Sequence, residues 1–596
     1  MYGYWGKLLR VNLTNREIGT EDLDETLLSS YLGAKGIGAY YFCKEMEKGA
    51  EPLSPDNLLI LSTGPYQGTD VPSTGRFAVI AKSPLTGIFL DSYCGGWFGH
   101  SLKRCGYDLL IIEGKAERPS YISIKDDEVQ IKDASELWGK TTKEMEVLLR
   151  KLEGEKVRVI STGPAGENLV RIACLMSDYR RSAGRGGSGA VFGSKNLKAV
   201  CVEGTRKVPV ADGKKLKKVI RQIADNVKQE REKGYAFYKY GTSNAVDYAS
   251  AKDRLPTRNY QLAEFEATEK ITGEALYQKY EVDMVGCCPC LIKCQGDIAG
   301  GRERPEYETL AMLGSNCGID DLEPIIEANA LCNQLGLDTI STGGVIGFAM
   351  ECSMLGLLEE KYDFGNGDQL LELIRKIAYR EGIGDILADG VRIAAEKIGN
   401  DSNKLAVHVK GLEIPAWDPR GKLGHGLAYM TADIGGSHLR EFYSTKKIPN
   451  TSALEVIEVL IGGQDRNVIR DNFIYCTFAR DTMDRQLRRD AYQAITGNSL
   501  SAEKETEVAN RIWTLIRLYN IREGITKDDD CLPHRFRTEP LPSGVAEGCT
   551  SFVSEEDMEL SLRTYYEKRG WDSEGIPTEK TVSDLGLSWF SDGKDK

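Results

Sequence analysis

The chain of 596 residues is long enough to bury several hydrophobic cores, which predicts roughly three or four domains. Its hydrophobic content of 41% and charged content of 28% are typical of a soluble globular protein. The net charge of −12 argues against nucleic acid as a partner, because nucleic-acid binding requires a basic surface. It is compatible with a small neutral substrate and a basic electron-transfer partner.

The sequence contains neither a membrane span nor a secretion signal. No stretch approaches the roughly 20 apolar residues of a transmembrane helix. The opening residues MYGYWGKLLRVNLT lack the basic segment and apolar run of a signal peptide. We therefore expect a cytoplasmic protein that does not bind membranes.

Residues 1–208 are predicted to form one β-rich domain. Short apolar runs separated by Gly, Pro and Asp indicate strands, and they lie at 58–61, 77–80, 109–112, 121–124 and 157–160. One pattern occurs twice: LLILSTGPYQG and VRVISTGPAGE are each a strand that runs into Ser-Thr-Gly-Pro, and each is followed by a glycine-arginine segment. We interpret the region as two related halves, with chance similarity of turn residues as the alternative.

Helical periodicity dominates the rest of the chain. It predicts two mainly helical domains at 209–412 and 413–596, and hence an α+β fold with a β-rich N-terminal domain. One helix is predicted to start at Pro324 and to end at Gly336. Another has Ser501 as its N-cap and Gly524 beyond its end.

A dense group of cysteines lies in GCCPCLIKC at 286–294, which holds four of the fifteen cysteines. In a large chain without a secretion signal, clustered cysteines more often bind metal than form disulfides. Cys287, Cys290 and Cys294 are spaced to hold one corner of an iron–sulfur cluster that takes a fourth ligand elsewhere, while Cys288 is a spare thiol. A zinc site is the alternative, although it usually needs a second Cys or Cys/His pair, which the sequence lacks.

The glycine-arginine segments are candidate anion sites. Glycine turns let backbone N–H groups approach an anion, and arginine binds phosphate oxygens in a bidentate manner. Arg76 with Gly95 and Gly96 could hold one phosphate-bearing ligand, and Arg181 with Arg185 another. Each glycine cluster could instead be an ordinary turn.

Several single polar residues are further candidates. The carboxylate of Asp338 or Asp471, and the nearby Asn333, could hydrogen-bond a ring amine or amide, with a solvated helix cap as the alternative. Glu308 and His438 are candidate acid–base groups.

Seven segments in collinear order carry a resemblance to a known family. They are MYGYWGKLLRVNLT at residue 1, STGRFAVIAKSPLTG (73–87), GRGGSGAVFGSKNLKAV (184–200), PEYET (305–309), NQLGLDTISTGG (333–344), PAWDPRG (415–421) and CLPHRF (531–536). Together they resemble the tungsten-containing aldehyde ferredoxin oxidoreductase family over essentially the whole chain.

The resemblance implies a cofactor set and its ligands. It implies a tungsten atom bound by two pyranopterins that a Mg²⁺ ion joins, beside one 4Fe-4S cluster; molybdenum could replace tungsten, since both bind through pterin sulfurs. By this resemblance the cluster ligands are Cys287, Cys290, Cys294 and Cys476. The residues expected to line the pterins are Arg76, Gly95, Arg181, Asn333, Asp338, Arg440, Asp471 and the backbone of Tyr475.

The resemblance also places groups at the two metals. The backbone carbonyls of Tyr93 and Ser182 would face the Mg²⁺ ion, and Glu308 and His438 would lie nearest the tungsten. The N-terminal β-rich domain would serve as the cofactor base, capped by the two helical domains. We further expect each glycine-arginine segment to serve one pterin, so that Arg76 and Arg181 contact different pterins.

The sequence departs from the family pattern at several positions. Asn333 replaces an Asp, Ile474 a glycine and Arg440 a lysine. Some family members bridge a homodimer through iron held by Glu-x-x-His motifs, but here Ala330 and Leu371 occupy the histidine positions. We expect any homo-oligomer to lack an interface iron, and a separate iron–sulfur subunit could use the exposed face instead.

The resemblance predicts oxidation of an aldehyde to a carboxylate, with electrons leaving singly through the cluster to ferredoxin or a partner iron–sulfur subunit. The alternative is a low-potential reductase of the same family, such as the tungsten subunit of a benzoyl-CoA reductase. Retention of Glu308 and His438 favours aldehydes. A pure electron carrier would need neither 596 residues nor the arginine anion sites.

Overall fold

Two six-stranded β-sheets form the framework of the first 203 residues in the computed structural model, which describes residues 1–441 and 451–592. Their strands are β1 Lys7–Asn12, β2 Glu17–Asp22, β3 Leu59–Ser62, β4 Phe77–Lys82, β5 Phe89–Cys94, β6 Leu109–Glu113, β7 Ser120–Lys125, β8 Glu128–Asp133, β9 Arg158–Thr162, β10 Leu175–Ser177, β11 Arg181–Ala183 and β12 Leu197–Glu203. The first sheet has the order β2-β1-β6-β3-β4-β5 and the second the order β11-β10-β9-β12-β7-β8.

The apolar runs of the sequence become the central strands of these sheets. The five predicted strands are confirmed as β3, β4, β6, β7 and β9. The two Ser-Thr-Gly-Pro patterns follow β3 in the first sheet and β9 in the second. Strand β5 ends one sheet and β11 ends the other. An edge strand leaves backbone groups unpaired, so both sheets expose carbonyl oxygens at these edges.

Helix α2 fixes the sheet region against the C-terminal part of the chain. The helices of the sheet region are α1 Glu25–Tyr31, α2 Ala34–Glu45, α3 Phe98–Arg104, α4 Thr142–Glu153, α5 Pro164–Glu167 and α6 Ser188–Ser194. Gly36 in α2 donates its backbone N–H to Asn472 Oδ1 at 2.6 Å. A Cβ at Gly36 would lie 2.2 Å from the Tyr31 carbonyl oxygen, so only glycine permits this approach.

The middle of the chain is mainly helical and carries two small sheets. Its helices are α7 Gly213–Glu232, α8 Ala236–Tyr240, α9 Ala245–Ser250, α10 Gly273–Lys279, α11 Tyr307–Thr309, α12 Leu322–Leu335, α13 Thr339–Met354, α14 Gly367–Tyr379, α15 Ile383–Leu387 and α16 Val391–Ile398. Its strands are β13 Val282–Val285, β14 Gln295–Ile298, β15 Arg302–Glu303, β16 His408–Val409 and β17 Leu412–Glu413. Antiparallel pairing of β13 with β14 makes the cysteine-rich segment 286–294 a hairpin loop.

The predicted helix ends are largely confirmed. Helix α12 begins at Leu322, ahead of Pro324, because Asp321 caps its first turn. Gly336 ends it in the left-handed conformation, as predicted. Asp338 then caps the next helix, α13, by accepting from the backbone N–H groups of Ile340 and Ser341.

The last part of the chain wraps helices around the sheet region. They are α17 His425–Thr431, α18 Ile457–Phe473, α19 Arg485–Thr496, α20 Ala502–Arg522, α21 His534–Thr538, α22 Glu555–Lys568, α23 Glu579–Asp584 and α24 Ser588–Asp592. Ser501 is the N-cap of α20, as predicted, and accepts from Lys504 N at 3.2 Å. Within residues 1–441 and 451–592, every helix is too short or too polar to cross a bilayer.

Replacing Gly36 by alanine tests the close contact of α2. Alanine alone would favour a helix by about 0.5–1 kcal/mol. The added Cβ instead meets the backbone oxygen of Tyr31, and we expect a net loss of about 1–3 kcal/mol. Thermal unfolding measures the change. In the control Gly19→Ala the Cβ meets nothing within 4 Å, and equal loss in both variants would contradict the contact.

Candidate active site

A cavity of about 310 Å³ lies where the sheet edges meet the helical parts of the chain. Tyr93 on edge strand β5 and Ser182 on edge strand β11 both line it. The other predicted site residues along its wall are Arg76, Gly95, Arg181, Asn333, Asp338, Arg440, Glu308, Cys287, Cys290, Cys294 and Cys476. Residues from all three parts of the chain therefore meet at one site.

The fourth cysteine is joined to the cysteine-rich loop through Ser73. The Ser73 backbone N–H donates to the Pro289 carbonyl at 2.5 Å, and its carbonyl accepts from Cys476 N at 2.8 Å. Cys287 Sγ lies against Gly95, where a Cβ would be only 2.9 Å from the sulfur. Cys288 instead points away from the cavity wall, and burial raises the pKa of its thiol to about 12.

The four predicted cluster cysteines line the cavity but are not drawn together around one point. Across residues 1–441 and 451–592, no group of three or more His, Cys, Asp or Glu side chains converges as one metal ion requires. A zinc site would need its four ligands within about 2.3 Å of one ion. An iron–sulfur cluster instead takes its thiolates on separate irons, and the assignment of these four cysteines to a cluster stays a prediction.

Two arginines on the cavity wall lack a carboxylate partner. In the described part of the chain, neither Arg76 nor Arg181 has a side-chain hydrogen bond or ion pair with an acidic residue. Burial opposes the charge of Arg181, but the thiols of Cys287 and Cys294 outweigh it and raise the pKa of Arg181. A partly buried guanidinium group without an acidic partner can bind an anion in a bidentate manner, so this wall fits thiolates and phosphate groups of a cofactor.

Arg440 belongs to a buried network of charges beneath the cavity. Its guanidinium donates to Asp91 and, at 2.5 Å, to Asp433. Lys35 Nζ binds the same two carboxylates at 2.8 Å and 2.7 Å. Because these protein carboxylates engage Arg440, its predicted pterin contact would use only its remaining Nη1, which lies 3.7 Å from Asp471. The network joins α2 and β5 to the segment after α17.

Four predicted residues do not line the cavity: Asp471, Tyr475, Gly96 and His438. Asp471 accepts from Arg470 Nε at 2.8 Å, and the buried Tyr475 hydroxyl accepts from Arg488 at 2.8 Å. Gly96 faces a neighbouring cavity, and its carbonyl accepts from Cys288 N at 3.0 Å. Their predicted cofactor contacts stay predictions.

Asp338 and Arg185 pair with each other on the cavity wall. Arg185 Nε lies 3.4 Å from Asp338 Oδ2, and its Nη2 donates to the carbonyl oxygens of Glu413 and Gly436. The guanidinium of Arg185 therefore positions backbone on the cavity wall, and its predicted anion contact stays a prediction. The Asn333 carbonyl accepts from Thr142 at 2.7 Å, and this contact fixes the turn before Asp338.

Glu308 and His438 come together although 130 positions separate them. His438 Nε2 lies 3.6 Å from Glu308 Oε1, which is beyond hydrogen-bond distance. Burial raises the pKa of Glu308 to about 7. Burial, with the nearby Arg185 and Lys422, lowers the pKa of His438 to about 3, so the imidazole is neutral at pH 7. A carboxyl that titrates near neutrality beside a neutral imidazole is able to exchange protons with a substrate.

Sequence reasoning missed several residues of this site. Lys35 lies in GAKGIG, which has no recognised ligand pattern, and Asp91 and Asp433 lie in segments without special composition. Trp417 was quoted only within PAWDPRG, yet its Nε1 donates to Glu308 at 3.0 Å. The one feature of the sequence that could have indicated these residues is Lys35 itself, which lies among glycines at the start of a helix.

Comparison with family models covers nearly the whole chain. Residues 8–204 match the N-terminal domain of aldehyde ferredoxin oxidoreductase, and residues 218–587 match domains 2 and 3 of the same enzyme.

Individual proteins give the same result. The tungsten-containing aldehyde ferredoxin oxidoreductase of Pyrococcus furiosus is 42% identical over 99% of this chain and 100% of its own length. The WOR-like subunit of an aliphatic sulfonate oxidoreductase from the same organism is 33% identical over 98% and 97%. The solved active site complex BamBC of benzoyl coenzyme A reductase, with 1,5-dienoyl-CoA, matches at a TM-score of 0.85 and 25% identity, covering 99% of this chain and 98% of that one.

Replacing Lys35 by methionine tests the buried network. The change leaves Asp91 and Asp433 with Arg440 as their one shared cation. We expect the free energy of unfolding to fall by roughly 3–5 kcal/mol, because an uncompensated charge is left buried. Denaturant or thermal unfolding measures it. Lys228→Met is the matched control, since its pair with Glu232 is exposed and should matter little. Similar stability of the two variants would contradict the assigned role.

Proposed function

This chain belongs to the aldehyde ferredoxin oxidoreductase family, and from that premise we propose that it oxidises aldehydes to carboxylic acids at a tungsten bis-pyranopterin. The observation that carries the proposal is the convergence of three groups on one cavity. These are the four cysteines, the arginines without acidic partners, and Glu308, whose neighbour His438 lies 3.6 Å behind it.

Different residues along the cavity would hold the different parts of the cofactor. The bound cofactor would supply a two-electron acceptor in the metal and a one-electron exit in a 4Fe-4S cluster. Cys287, Cys290, Cys294 and Cys476 would hold the cluster. Molybdenum is the alternative to tungsten, since pterin sulfurs bind both.

The anionic groups of the pterins and the joining Mg²⁺ ion have their own candidates. Arg76 and Arg181 would bind the pterin anions, while the edge-strand carbonyls of Tyr93 and Ser182 would face the ion. The charge of Arg76 acts on Cys476 and that of Arg181 on Cys287 and Cys294. That each arginine serves a different pterin stays a prediction, since both charges also act on the thiol of Cys94.

The protein contributes proton transfer and orientation. Oxidation converts an aldehyde and one water molecule to a carboxylic acid, two protons and two electrons. Glu308, with a pKa near neutrality, would accept one proton as oxygen adds to the carbonyl carbon. Neutral His438 would donate a hydrogen bond that orients the substrate. The side chains of His438 and Glu308 are only 16% and 20% exposed, which limits the access of bulk water to the reacting carbon.

Electrons would leave singly to ferredoxin or to a dedicated iron–sulfur subunit. The cysteine-rich loop that would hold the cluster connects β13 and β14, and Leu291 within it is 40% exposed. An exposed loop beside the cluster gives a carrier short access to it. A homo-oligomer of this chain would lack an interface iron, because Ala330 and Leu371 replace the histidines.

The second candidate is a low-potential reductase of the same family. The match to the benzoyl coenzyme A reductase complex supports it, but 25% identity against 42% favours the aldehyde oxidoreductases. Anaerobic, aldehyde-dependent reduction of a viologen dye separates the two. Dye reduction with aldehydes supports the proposal. Lack of reduction by any aldehyde, in protein loaded with metal, would overturn it in favour of the reductase.

Two cysteine variants test the cluster ligands. Cys476→Ala should lose most of the bound iron, because it removes one of four thiolates. Cys288→Ala is the matched control and should keep its iron, since that thiol lies off the cavity wall. Iron analysis and electron paramagnetic resonance of the reduced proteins measure both. Unchanged iron in the first variant would contradict Cys476 as a ligand.

The pH dependence of the rate tests Glu308 as the base. In the parent protein, kcat/KM should rise as pH increases through about 7, where Glu308 loses its proton. Glu308→Gln should lower kcat by about 100- to 10,000-fold and remove that rise. Metal content equal to the parent protein shows that the cofactor is still bound. A variant that keeps the parent pH profile would show that another group is the base.

A further inference from the structure

The loop 414–417 is fastened by three buried tyrosines that share one feature. Each directs its hydroxyl at a carbonyl of this loop. Tyr260 donates to the carbonyls of Ile414 and Pro415, both at 2.8 Å. Tyr307 donates to the Ala416 carbonyl, and Tyr429 donates to the Trp417 carbonyl at 3.0 Å. Four consecutive carbonyls are thus held from three separate segments.

Two N–H groups of the same loop donate hydrogen bonds to the two carboxylate oxygens of Glu308. Ala416 N donates to Oε2 at 2.8 Å, and Trp417 Nε1 donates to Oε1 at 3.0 Å. The Trp417 ring packs on Tyr307 with 4.6 Å between ring centroids. Because Tyr307 directly precedes Glu308 and also binds the loop, the position of Glu308 is fixed from two directions.

We propose that Trp417, held by the tyrosine-fastened loop 414–417, is a positioning residue that orients the Glu308 carboxylate toward His438 and stabilises its ionised form. An indole N–H can only donate, so it favours the ionised carboxylate over the carboxylic acid. A tyrosine-fastened loop cannot swing away when the charge of Glu308 changes. The catalytic role of Glu308 rests on the proposed function, whereas its ionisation can be measured without substrate.

The other groups that face Glu308 act in both directions. Burial raises its pKa most, and Asp338 at the start of α13 adds to this effect. Ala416 N, Arg185 and Trp417 lower it. His438 lies 3.6 Å away but is neutral, as are the hydroxyls of Tyr260, Tyr307 and Tyr429 near pH 7. Removing the indole donor should therefore raise the pH at which Glu308 is half ionised, its titration midpoint.

Infrared difference titration of the anaerobically purified protein tests the proposal. The carboxylic acid band that Glu308→Gln abolishes belongs to Glu308. Trp417→Phe keeps an aromatic ring against Tyr307 but removes the donor. We expect its midpoint to rise by about one pH unit, as for loss of one hydrogen bond to a charged group. Trp513→Phe is the matched control, since Trp513 Nε1 donates to Tyr565 at 3.0 Å far from the site, and its midpoint should not move.

The pH–rate profile separates positioning from general damage. Below the titration midpoint of Glu308, kcat/KM of Trp417→Phe should be about tenfold lower than that of the parent protein. At higher pH the two values should converge, because Glu308 is then ionised in both proteins. An unmoved midpoint, or an equal loss at every pH, would overturn the proposal.

A second variant keeps the test decisive if Trp417→Phe fails to fold. Tyr307→Phe loosens Ala416 and should raise the midpoint by less; an unmoved midpoint there would also overturn the proposal. A shifted midpoint in a protein without aldehyde activity would overturn the proposed function and leave the positioning role standing.

Discussion

The buried network of Lys35, Asp91, Asp433 and Arg440 is the constraint on which the site depends. Two cations and two carboxylates lie in the interior, and each is paired on both sides. Isolated charges could not be buried there, since desolvation would cost several kcal/mol for each ion. These ion pairs form only when α2 and β5 of the sheet region pack against the segment after α17 in one relative position. That same packing brings edge strand β5 and the segment that carries His438 to the cavity.

Burial has opposite consequences on the two sides of the cavity. On the cysteine side, Arg76 and Arg181 lie on the wall without acidic partners, which suits this wall to anionic groups. On the opposite side, burial moves Glu308 toward its neutral form, and the donors of loop 414–417 oppose that shift. One wall is therefore suited to hold an anionic cofactor, and the other to exchange a proton at neutral pH.

The strands and the cysteine loop could be predicted from local sequence, because apolar runs and ligand spacing are local properties. Helix ends followed from capping residues such as Ser501 and Gly336. Cys476 required the family resemblance, since it lies far along the chain from the loop. Contacts between distant segments had no local signal: Lys35 with Asp433, Arg185 with the Glu413 carbonyl, and Trp417 with Glu308 depend on how the whole chain packs.

Metal analysis of anaerobically purified protein tests the central claim most directly, which is that this cavity holds a tungsten or molybdenum pterin beside an iron–sulfur cluster. The account predicts about one tungsten or molybdenum atom and about four iron atoms per chain. Zinc alone, or iron without either heavy metal, would contradict it.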